Sequence, residues 1–332
     1  MAEQREYDLV SLGEALLRMS PPMRGQLRRA SSLEIHLAGA QMNVAADSAR
    51  IGGRTAFISA VPDNPMGLLS IDIMASFGID TSLVKVSSEG IMGMTFVEFS
   101  AEPRAPKAIY FRKGSSASMI RPDDFDWKAI VSRSHVAYTD GIFPGLETGC
   151  FAAALEFLKA ARKKGCLTAF DCNYREHIFT PSEARSTWSK LLPYVDVIVT
   201  NRSVSEQVFG YSGTEEEMLE RYVSDFGCKV VCGTSREIIG LSRGAWKSTA
   251  LADGKIYEGK RIEFEIVDRY GTGDAWSSGF IHGYRKDGVQ YGLEFGNVLC
   301  ALAHTVEGDV VHVSEDDVKS IIRDGVNVRV KR

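Results

Sequence analysis

Short apolar runs alternate along the chain with longer segments in which apolar residues recur every three or four positions. The short runs predict buried strands, and the longer segments predict amphipathic helices. The predicted strands are 7–13, 54–62, 134–141, 166–173, 195–201 and 229–233. The predicted helices are 40–51, 67–78, 147–164, 183–192 and 214–226. This alternation predicts an α/β fold, a Rossmann-like parallel sheet with helices on both faces.

Two segments depart from the alternation. Residues 14–37 have no clear helical pattern, and residues 91–111 alternate like two paired strands around a Glu-Pro-Arg sequence at 102–104. We therefore expect a small β-sheet lid, built from about 14–37 and 91–113, on a single domain that spans 1–332. A last helix is predicted over 314–325, where Ser314 and Asp317 have the spacing of a capping box.

Composition and charge narrow the class of protein. The 332 residues are 44% apolar and 25% charged, with a net charge of −4, which gives no reason to expect nucleic acid as a partner. No apolar run approaches the roughly 20 residues that span a membrane, and the first residues lack a secretion signal. We therefore expect a cytoplasmic protein. The six cysteines form no CxxC pair and are expected to be buried and reduced; they are Cys150, Cys166, Cys172, Cys228, Cys232 and Cys300.

The sequence GTGDAW at 271–276 carries the candidate chemistry. It follows a predicted strand at 261–268 and opens a helical pattern, so the amides of Gly271, Thr272 and Gly273 lie at a helix N-terminus, where anions bind. Asp274 comes next, and its ordinary pKa of about 4 predicts an ionised carboxylate. Such a carboxylate can accept a proton from a hydroxyl while the amides stabilise a transferred phosphoryl group. For the tetrapeptide alone, a plain turn capped by Asp274 is the alternative.

Three better-known nucleotide-binding loops are excluded. The dinucleotide fingerprint needs a glycine where Trp276 stands, and the nearest string to a Walker loop, GAWKST at 244–249, has Trp246 before its lysine. The protein-kinase pattern, an HRD sequence followed by DFG, is absent because the chain has no HRD sequence. Phosphate binding by this chain would therefore follow another design.

Over approximately 8–320 the chain resembles the ribokinase-like family of carbohydrate kinases, and most closely its 2-keto-3-deoxygluconate kinases. The segments that carry the resemblance are LVSLGEALLRMSPP, LAGAQMNVAADSARIGG, MGMTFVEFSAEPRAPKAIYFRKGSSAS, FDCNYRE and VDRYGTGDAWSSG. The resemblance implies ATP as the phosphate donor, Mg²⁺ at the phosphates and, in many members, K⁺ beside the anion-binding loop. It is also compatible with a homodimer formed through the lid.

The resemblance also implies roles for single residues. It makes Asp274 the catalytic base and Asp268 a ligand of the monovalent cation. The implied sugar contacts are Gly39, Asn43, Tyr110, Arg112 and Arg175, with Asp171 and Asn173 in the same signature as Arg175. The implied nucleotide contacts are Asn201, Thr234, Arg236, Asn297 and the loop residues Gly271 and Gly273.

The chemistry of the arginines agrees with an acidic sugar. A keto-deoxy sugar acid carries a carboxylate, and Arg112 and Arg175 can each bind a carboxylate with two parallel hydrogen bonds. We therefore expect ATP-dependent phosphorylation of the terminal hydroxyl of a keto-deoxy sugar acid such as 2-keto-3-deoxygluconate. A neutral sugar such as fructose or ribose, or a nucleoside, is the alternative substrate.

Two segments depart from the family pattern. The usual Asn-x-x-Glu near the metal-bound phosphates begins at Asn201, but its acidic position falls on Val204; Glu206 would lie about 200° further around a regular helix. Ala38 and Gln41 replace a usual glycine and a frequent acid beside the sugar signature. The Val204 departure supports a second class of function, a sugar- or nucleotide-binding module with weak catalysis.

Overall fold

The computed structural model describes residues 5–99, 104–240 and 242–325. The two ends of the predicted domain 1–332, and Glu102 and Pro103 of the predicted lid turn, lie outside the described residues.

Strands and helices alternate through the first two thirds of the described chain, much as the apolar pattern predicts. The strands are β1 (Tyr7–Leu12), β2 (Leu16–Ser20), β3 (Glu34–Ala38), β4 (Thr55–Pro62), β5 (Ile79–Asp80), β6 (Val84–Ser87), β7 (Gly93–Glu98), β8 (Lys107–Phe111), β9 (Ser134–Asp140), β10 (Leu167–Asp171), β11 (Val197–Thr200), β12 (Val230–Ile238), β13 (Arg243–Ala252), β14 (Lys255–Glu258) and β15 (Ile262–Glu265). The helices are α1 (Ala40–Arg50), α2 (Pro65–Ser76), α3 (Trp127–Ser132), α4 (Thr148–Lys163), α5 (Pro181–Trp188), α6 (Arg202–Val204), α7 (Glu215–Phe226), α8 (Thr272–Ala303) and α9 (Glu315–Asp324).

The main sheet has the strand order β14-β13-β12-β11-β10-β9-β1-β4-β5, with β15 beside β13 and β6 beside β4. Neighbours from β12 to β5 are parallel, as predicted. The antiparallel end formed by β13, β14 and β15 was not predicted. Its signal was present, because Asp253 and Gly254 both have positive φ in a two-residue hairpin turn, for which Asp-Gly is a preferred sequence.

The order of the strands fixes where a ligand can bind. The chain leaves β1 for β4 on one side and later returns to β9 on the other side, so the strand order reverses between β1 and β9. At such a point the loops after the two strands diverge and leave a crevice at their carboxyl ends. Apolar layers cover both faces of the sheet; Trp188 and Trp276, both fully buried, belong to different layers.

A separate four-stranded sheet has the order β3-β2-β7-β8. Strand β2 runs antiparallel to β3 and parallel to β7, and β7 runs antiparallel to β8. Both segments predicted to form the lid contribute strands to it. One face of this sheet carries Tyr110, and the other carries exposed apolar residues.

Helix α8 is a hairpin of two helical arms rather than one rod. Asp287 and Gly288 have non-helical dihedral angles and separate an arm over 272–286 from an arm over 289–303. A Cβ atom built on Gly279 would lie 3.0 Å from the Cα of Gly296, and one on Gly283 would lie 2.9 Å from the Cα of Gly292. The arms therefore touch backbone to backbone.

Caps decide several helix boundaries. Helix α2 begins two residues before the prediction because the Asn64 side chain accepts from Met66 and Gly67 and Pro65 takes the first turn. The capping box of Ser314 and Asp317 is confirmed at the start of α9.

All six cysteines are buried and unpaired. Within the described ranges, no helix combines the length and the apolar character needed to cross a membrane.

Candidate active site

The loop before α8 is shaped by a close approach of two backbones. Gly271 has a φ of 70°, and a Cβ atom at this position would lie 1.9 Å from the carbonyl oxygen of Asp309, so only glycine fits. Around Gly273 a Cβ would meet nothing within 4 Å. In the described part of the chain, the amides of 271–273 donate to no recorded acceptor. The loop therefore leaves free donors at a helix N-terminus.

Asp274 lies in the first turn of α8, beside these amides. Asn43 of α1 donates from Nδ2 to its Oδ2 at 2.7 Å, and part of the side chain remains accessible to solvent. Burial raises the pKa of Asp274 well above its usual value, and the charges of Asp171 and Asp140 raise that pKa further. The pKa of Asp274 therefore lies above the ordinary value assumed from the sequence, because loss of water outweighs the favourable helix terminus.

Two more carboxylates lie at the carboxyl ends of neighbouring strands. Asp140 ends β9 and accepts from Asn173 Nδ2 at 3.0 Å and from Gln41 Nε2 in a short hydrogen bond. Asp171 ends β10, and its Oδ1 accepts from the Asn173 amide at 2.9 Å. Side-chain amides therefore hold Asp140 in place, whereas a backbone amide holds Asp171. Gln41 stands at a position where the subfamily that this chain resembles often has an acidic residue. Here its side chain donates a hydrogen bond to the acid Asp140.

The acids form a cluster with raised pKa values. Burial, with a contribution from the charge of the neighbouring Asp140, raises the pKa of Asp171 to about 7. Burial also raises the pKa of Asp140. The positive charge of Arg175 lowers the pKa of all three acids, Asp274 included.

The lid contributes an aromatic and a basic side chain. Tyr110 of β8 stacks on His177, with ring centroids 4.5 Å apart and planes 15° from parallel. Arg112 pairs with Glu14, a carboxylate that is 1% exposed and also accepts from Ser115 Oγ. Tyr110, Arg112 and His177 line a cleft of about 620 Å³.

Positive charge collects on this side of the cleft. Arg175 is exposed, and its recorded hydrogen bond runs from Nη1 to the carbonyl of Tyr174 at 3.1 Å. Burial lowers the pKa of His177, and the charges of Arg112 and Arg175 lower it further, so the three groups are near one another. The Nε of Arg112 is buried without a partner among the described residues. Arg175 is therefore open to solvent, whereas the unpartnered Nε of Arg112 is enclosed by the protein.

Gly39 acts through the backbone. It precedes α1 with a φ of 140°, and a Cβ atom there would lie 2.2 Å from the carbonyl oxygen of Glu14. The glycine therefore lets the start of α1 approach the end of β1, which brings Asn43 to Asp274.

Of the predicted nucleotide residues, Asn201 follows the carboxyl end of β11, and Thr234 and Arg236 lie within the neighbouring strand β12. Asn201 caps α6 by accepting from the Val204 amide at 3.0 Å, and Thr234 Oγ1 donates to the carbonyl of Thr200 at 3.2 Å. Arg236 donates to Thr272 Oγ1 at 2.7 Å. Through these hydrogen bonds the predicted nucleotide residues extend from β11 across β12 to the loop at 271–273.

Asn297 does not join these residues. It is fully buried, and its Oδ1 accepts from Ser248 at 2.6 Å and from Trp276 at 2.9 Å. Its Nδ2 donates to the carbonyl of Lys260 at 2.9 Å. The protein itself thus uses both ends of the side-chain amide, which connects α8 with β13 and the segment before β15.

Val204 cannot act as a metal ligand because it is an apolar residue, 6% exposed, in the core. Glu206 pairs with Arg202 at 3.1 Å across one turn. Residues Ser205–Phe209 form a π-helical turn, so the regular-helix angle assumed from the sequence does not apply there. Among the described residues, no group of three His, Cys, Asp or Glu side chains could hold a metal ion.

Sequence reasoning missed several residues near the site. Asp140 had a readable signal, since it ends a predicted strand as Asp171 does. Glu14, His177 and Asp309 had none, because their roles depend on partners that are distant in the sequence. Arg18 is the largest omission: it is 1% exposed and pairs with Asp268 and Asp309.

Fold and site together define a class of protein: an α/β phosphotransferase in which a carboxylate follows a glycine-containing loop at a helix N-terminus and a small β-sheet forms a lid. Residues 7–315 match the family described as pfkB family carbohydrate kinase. The chain is 32% identical over 319 residues to a 2-dehydro-3-deoxygalactonokinase from Haloferax volcanii, covering 96% of this chain and 97% of the relative. It is 26% identical over 335 residues to a 5-dehydro-2-deoxygluconokinase from Clostridium perfringens, covering 97% and 94%.

A solved structure of a 2-dehydro-3-deoxygluconokinase from Thermotoga maritima matches with a TM-score of 0.91 at 29% identity, covering 96% of this chain and 99% of the other. This chain belongs to the pfkB family of carbohydrate kinases. Membership makes it a kinase with an alcohol acceptor and ATP as the phosphate donor.

The raised pKa of Asp171 predicts a stability that depends on pH. Its folded-state pKa of about 7 exceeds the ordinary 3.8, so its contribution to stability is complete below about pH 4 and is lost as pH rises through about 7. Asp171→Asn, which cannot ionise, should therefore raise Tm over wild type by several degrees at pH 8, since one pKa unit is about 1.4 kcal/mol, and by much less at pH 5. Scanning calorimetry at both pH values measures this, with the exposed Asp72→Asn as control. An equal Tm difference at the two pH values would contradict it.

Proposed function

We propose that the protein phosphorylates the terminal hydroxyl of a keto-deoxy sugar acid of the 2-keto-3-deoxygluconate class with MgATP. The observation that carries the proposal is the position of Asp274, one residue after the free amides of 271–273 and hydrogen-bonded to Asn43. Relatives along the whole chain are kinases named for keto-deoxy sugars.

Asp274 is the proposed general base. Its raised pKa makes the ionised carboxylate a stronger proton acceptor than an ordinary aspartate, and Asn43 fixes the orientation of one oxygen. As the sugar hydroxyl gives up its proton to Asp274, the amides of 271–273 stabilise the charge on the transferred phosphoryl group. Arg236, bonded to Thr272, adds positive charge beside the same loop.

The proposed sugar site lies between the lid and the carboxyl ends of β9 and β10. Arg175 and Arg112 are the candidates to bind the substrate carboxylate. Tyr110, held by His177, would cover the sugar and limit access of water to the phosphate. Gly39 serves this site by positioning α1.

The proposed nucleotide site runs along Asn201, Thr234 and Arg236 to the loop. Mg²⁺ would arrive with the ATP phosphates, since the position of the usual acid is the core residue Val204. The internal hydrogen bonds of Asn297 favour a supporting role behind the site over direct contact with adenine.

Replacing the base tests the proposed mechanism. Asp274→Asn keeps the size of the side chain and a hydrogen bond to position 43 but removes the proton acceptor, so kcat should fall by about 10²–10⁴. Sugar and nucleotide affinity, measured by calorimetry, should change little. Coupled ADP release gives kcat; turnover at the wild-type rate would refute the assignment of the base.

A panel of sugars tests the substrate class. Sugar acids of the 2-keto-3-deoxy type should be phosphorylated, and fructose, ribose and nucleosides should not. Arg175→Ala should raise KM for the acids by roughly 10- to 100-fold through loss of a charged hydrogen bond, whereas Arg185→Ala on the exposed side of α5 should not. Activity confined to neutral sugars would reject the acid-sugar assignment.

Val204 favours a second candidate, a binding module with weak catalysis, because it removes an acid usual near the phosphates in the resembling family. The panel distinguishes the two functions. Calorimetric binding of a sugar acid and MgATP without ADP release would favour the module.

We also propose a homodimer formed through the outer face of the lid. The register aligns Ile35, Met19, Phe96 and Ile109 side by side, and Ile35 and Ile109 are 45% and 48% exposed. A contiguous apolar face of this kind favours association with a second copy.

Ile109→Asp should convert this dimer to a monomer, because it buries a charge in the apolar interface. Sedimentation velocity measures the change. The control is Ile238→Asp, which is 68% exposed on the main sheet and should leave the association state unaltered. A monomeric wild-type protein would refute the dimer.

A further inference from the structure

Arg18 is a charged side chain that the proposed chemistry does not use. It lies on lid strand β2, it is 1% exposed, and both of its Nη atoms lie 3.2 Å from Asp268 Oδ2. Its Nε lies 2.7 Å from Asp309 Oδ2. The guanidinium also lies over two rings, 5.3 Å from the centroid of Phe99 and 5.0 Å from that of Tyr270. A buried cation is thus enclosed by two carboxylates and two aromatic faces.

The two carboxylates belong to the segments that hold the anion-binding loop. Asp268 lies three residues before Gly271, and its Oδ1 accepts from the amides of Arg269 at 2.6 Å and Tyr270 at 3.1 Å. Asp309 supplies the carbonyl against which Gly271 packs. Arg18 therefore joins the segment that enters the loop to the segment that supports it.

This arrangement does not fit the monovalent cation expected at Asp268. A K⁺ ion would need carboxylate lone pairs directed at an open position. Both oxygens of Asp268 already accept hydrogen bonds, Oδ1 from two amides and Oδ2 from Arg18 and, at 3.1 Å, from the Gly308 amide. The guanidinium would also repel a second cation at this distance.

We infer that Arg18 supplies, from within the chain, the positive charge that a monovalent cation would otherwise supply beside the loop. Phosphate transfer by this protein then needs no particular alkali-metal ion. The kinetic measurements below rest on the proposed function, whereas the position of the Arg18 guanidinium beside the loop does not depend on it.

The wild-type protein gives the first test. The kcat for a sugar acid and MgATP is measured in K⁺, Na⁺ and tetramethylammonium salts at equal ionic strength, and should agree within about twofold. A required metal ion would make K⁺ faster than tetramethylammonium by roughly tenfold or more, which would overturn the inference.

Two readouts do not depend on turnover. The Tm should be the same in K⁺ and tetramethylammonium, and crystals soaked in Tl⁺ should show no anomalous peak between Asp268 and Asp309. A Tl⁺ peak there, or a Tm raised by K⁺ alone, would overturn the inference. If no sugar is phosphorylated, the proposed function fails while these two measurements still decide the question of the cation.

Variants give the second test. Arg18→Ala should lower kcat by on the order of 10², with partial recovery on addition of guanidinium or K⁺; Arg28→Ala, an exposed arginine of the lid, should not. Arg18→Lys keeps a charge and should retain more activity than Arg18→Ala. Should Arg18→Ala not fold, the comparison rests on Arg18→Lys, for which K⁺ should then have no larger effect than on wild type. An Arg18→Ala protein with wild-type kcat in every salt would refute the role of Arg18.

Discussion

The site depends on one constraint: several aspartate carboxylates are buried, away from water, at the carboxyl edge of the parallel sheet. Asp140, Asp171 and Asp274 lie together there because β9 and β10 are neighbouring parallel strands that end at this edge, and α8 begins at the same edge. Each ionised acid is costly in such surroundings unless donors or positive charges compensate for it. The protein compensates with side-chain amides. Asn43 donates to Asp274, and Gln41 and Asn173 donate to Asp140.

The hydrogen bonds and charges that compensate for burial differ between Asp274 and Asp268, and the two carboxylates are therefore suited to different roles. Around Asp274 the compensation is partial, because within the described part of the chain only one of its two oxygens accepts a hydrogen bond. Around Asp268 it is complete, because Arg18 and three backbone amides satisfy the carboxylate. The first arrangement suits proton transfer, and the second suits a rigid support for the loop. Arg175 remains exposed near the acids, where a substrate anion can reach it.

Local patterns predicted the parts of the fold that local physics determines. Buried parallel strands are continuous apolar runs, and the loop before α8 was recognisable by its two glycines. The antiparallel hairpin at Asp253 and Gly254 was missed although its turn sequence was present. The pairing of Arg18 with Asp268 could not be predicted, since it spans 250 residues and depends on how the lid packs. The raised pKa of Asp274 was missed for the same reason: burial is a property of the assembled chain.

The backbone contact between the arms of α8 extends the region in which a sequence change can harm catalysis. Asp274 lies at the tip of the first arm, and its direction depends on how closely the second arm approaches Gly279 and Gly283. A single added methyl group at Gly283 would push the arms apart and shift the carboxylate relative to Asn43. Substitutions at residues far from the cleft can therefore disturb Asp274, and inspection of the cleft alone would overlook them.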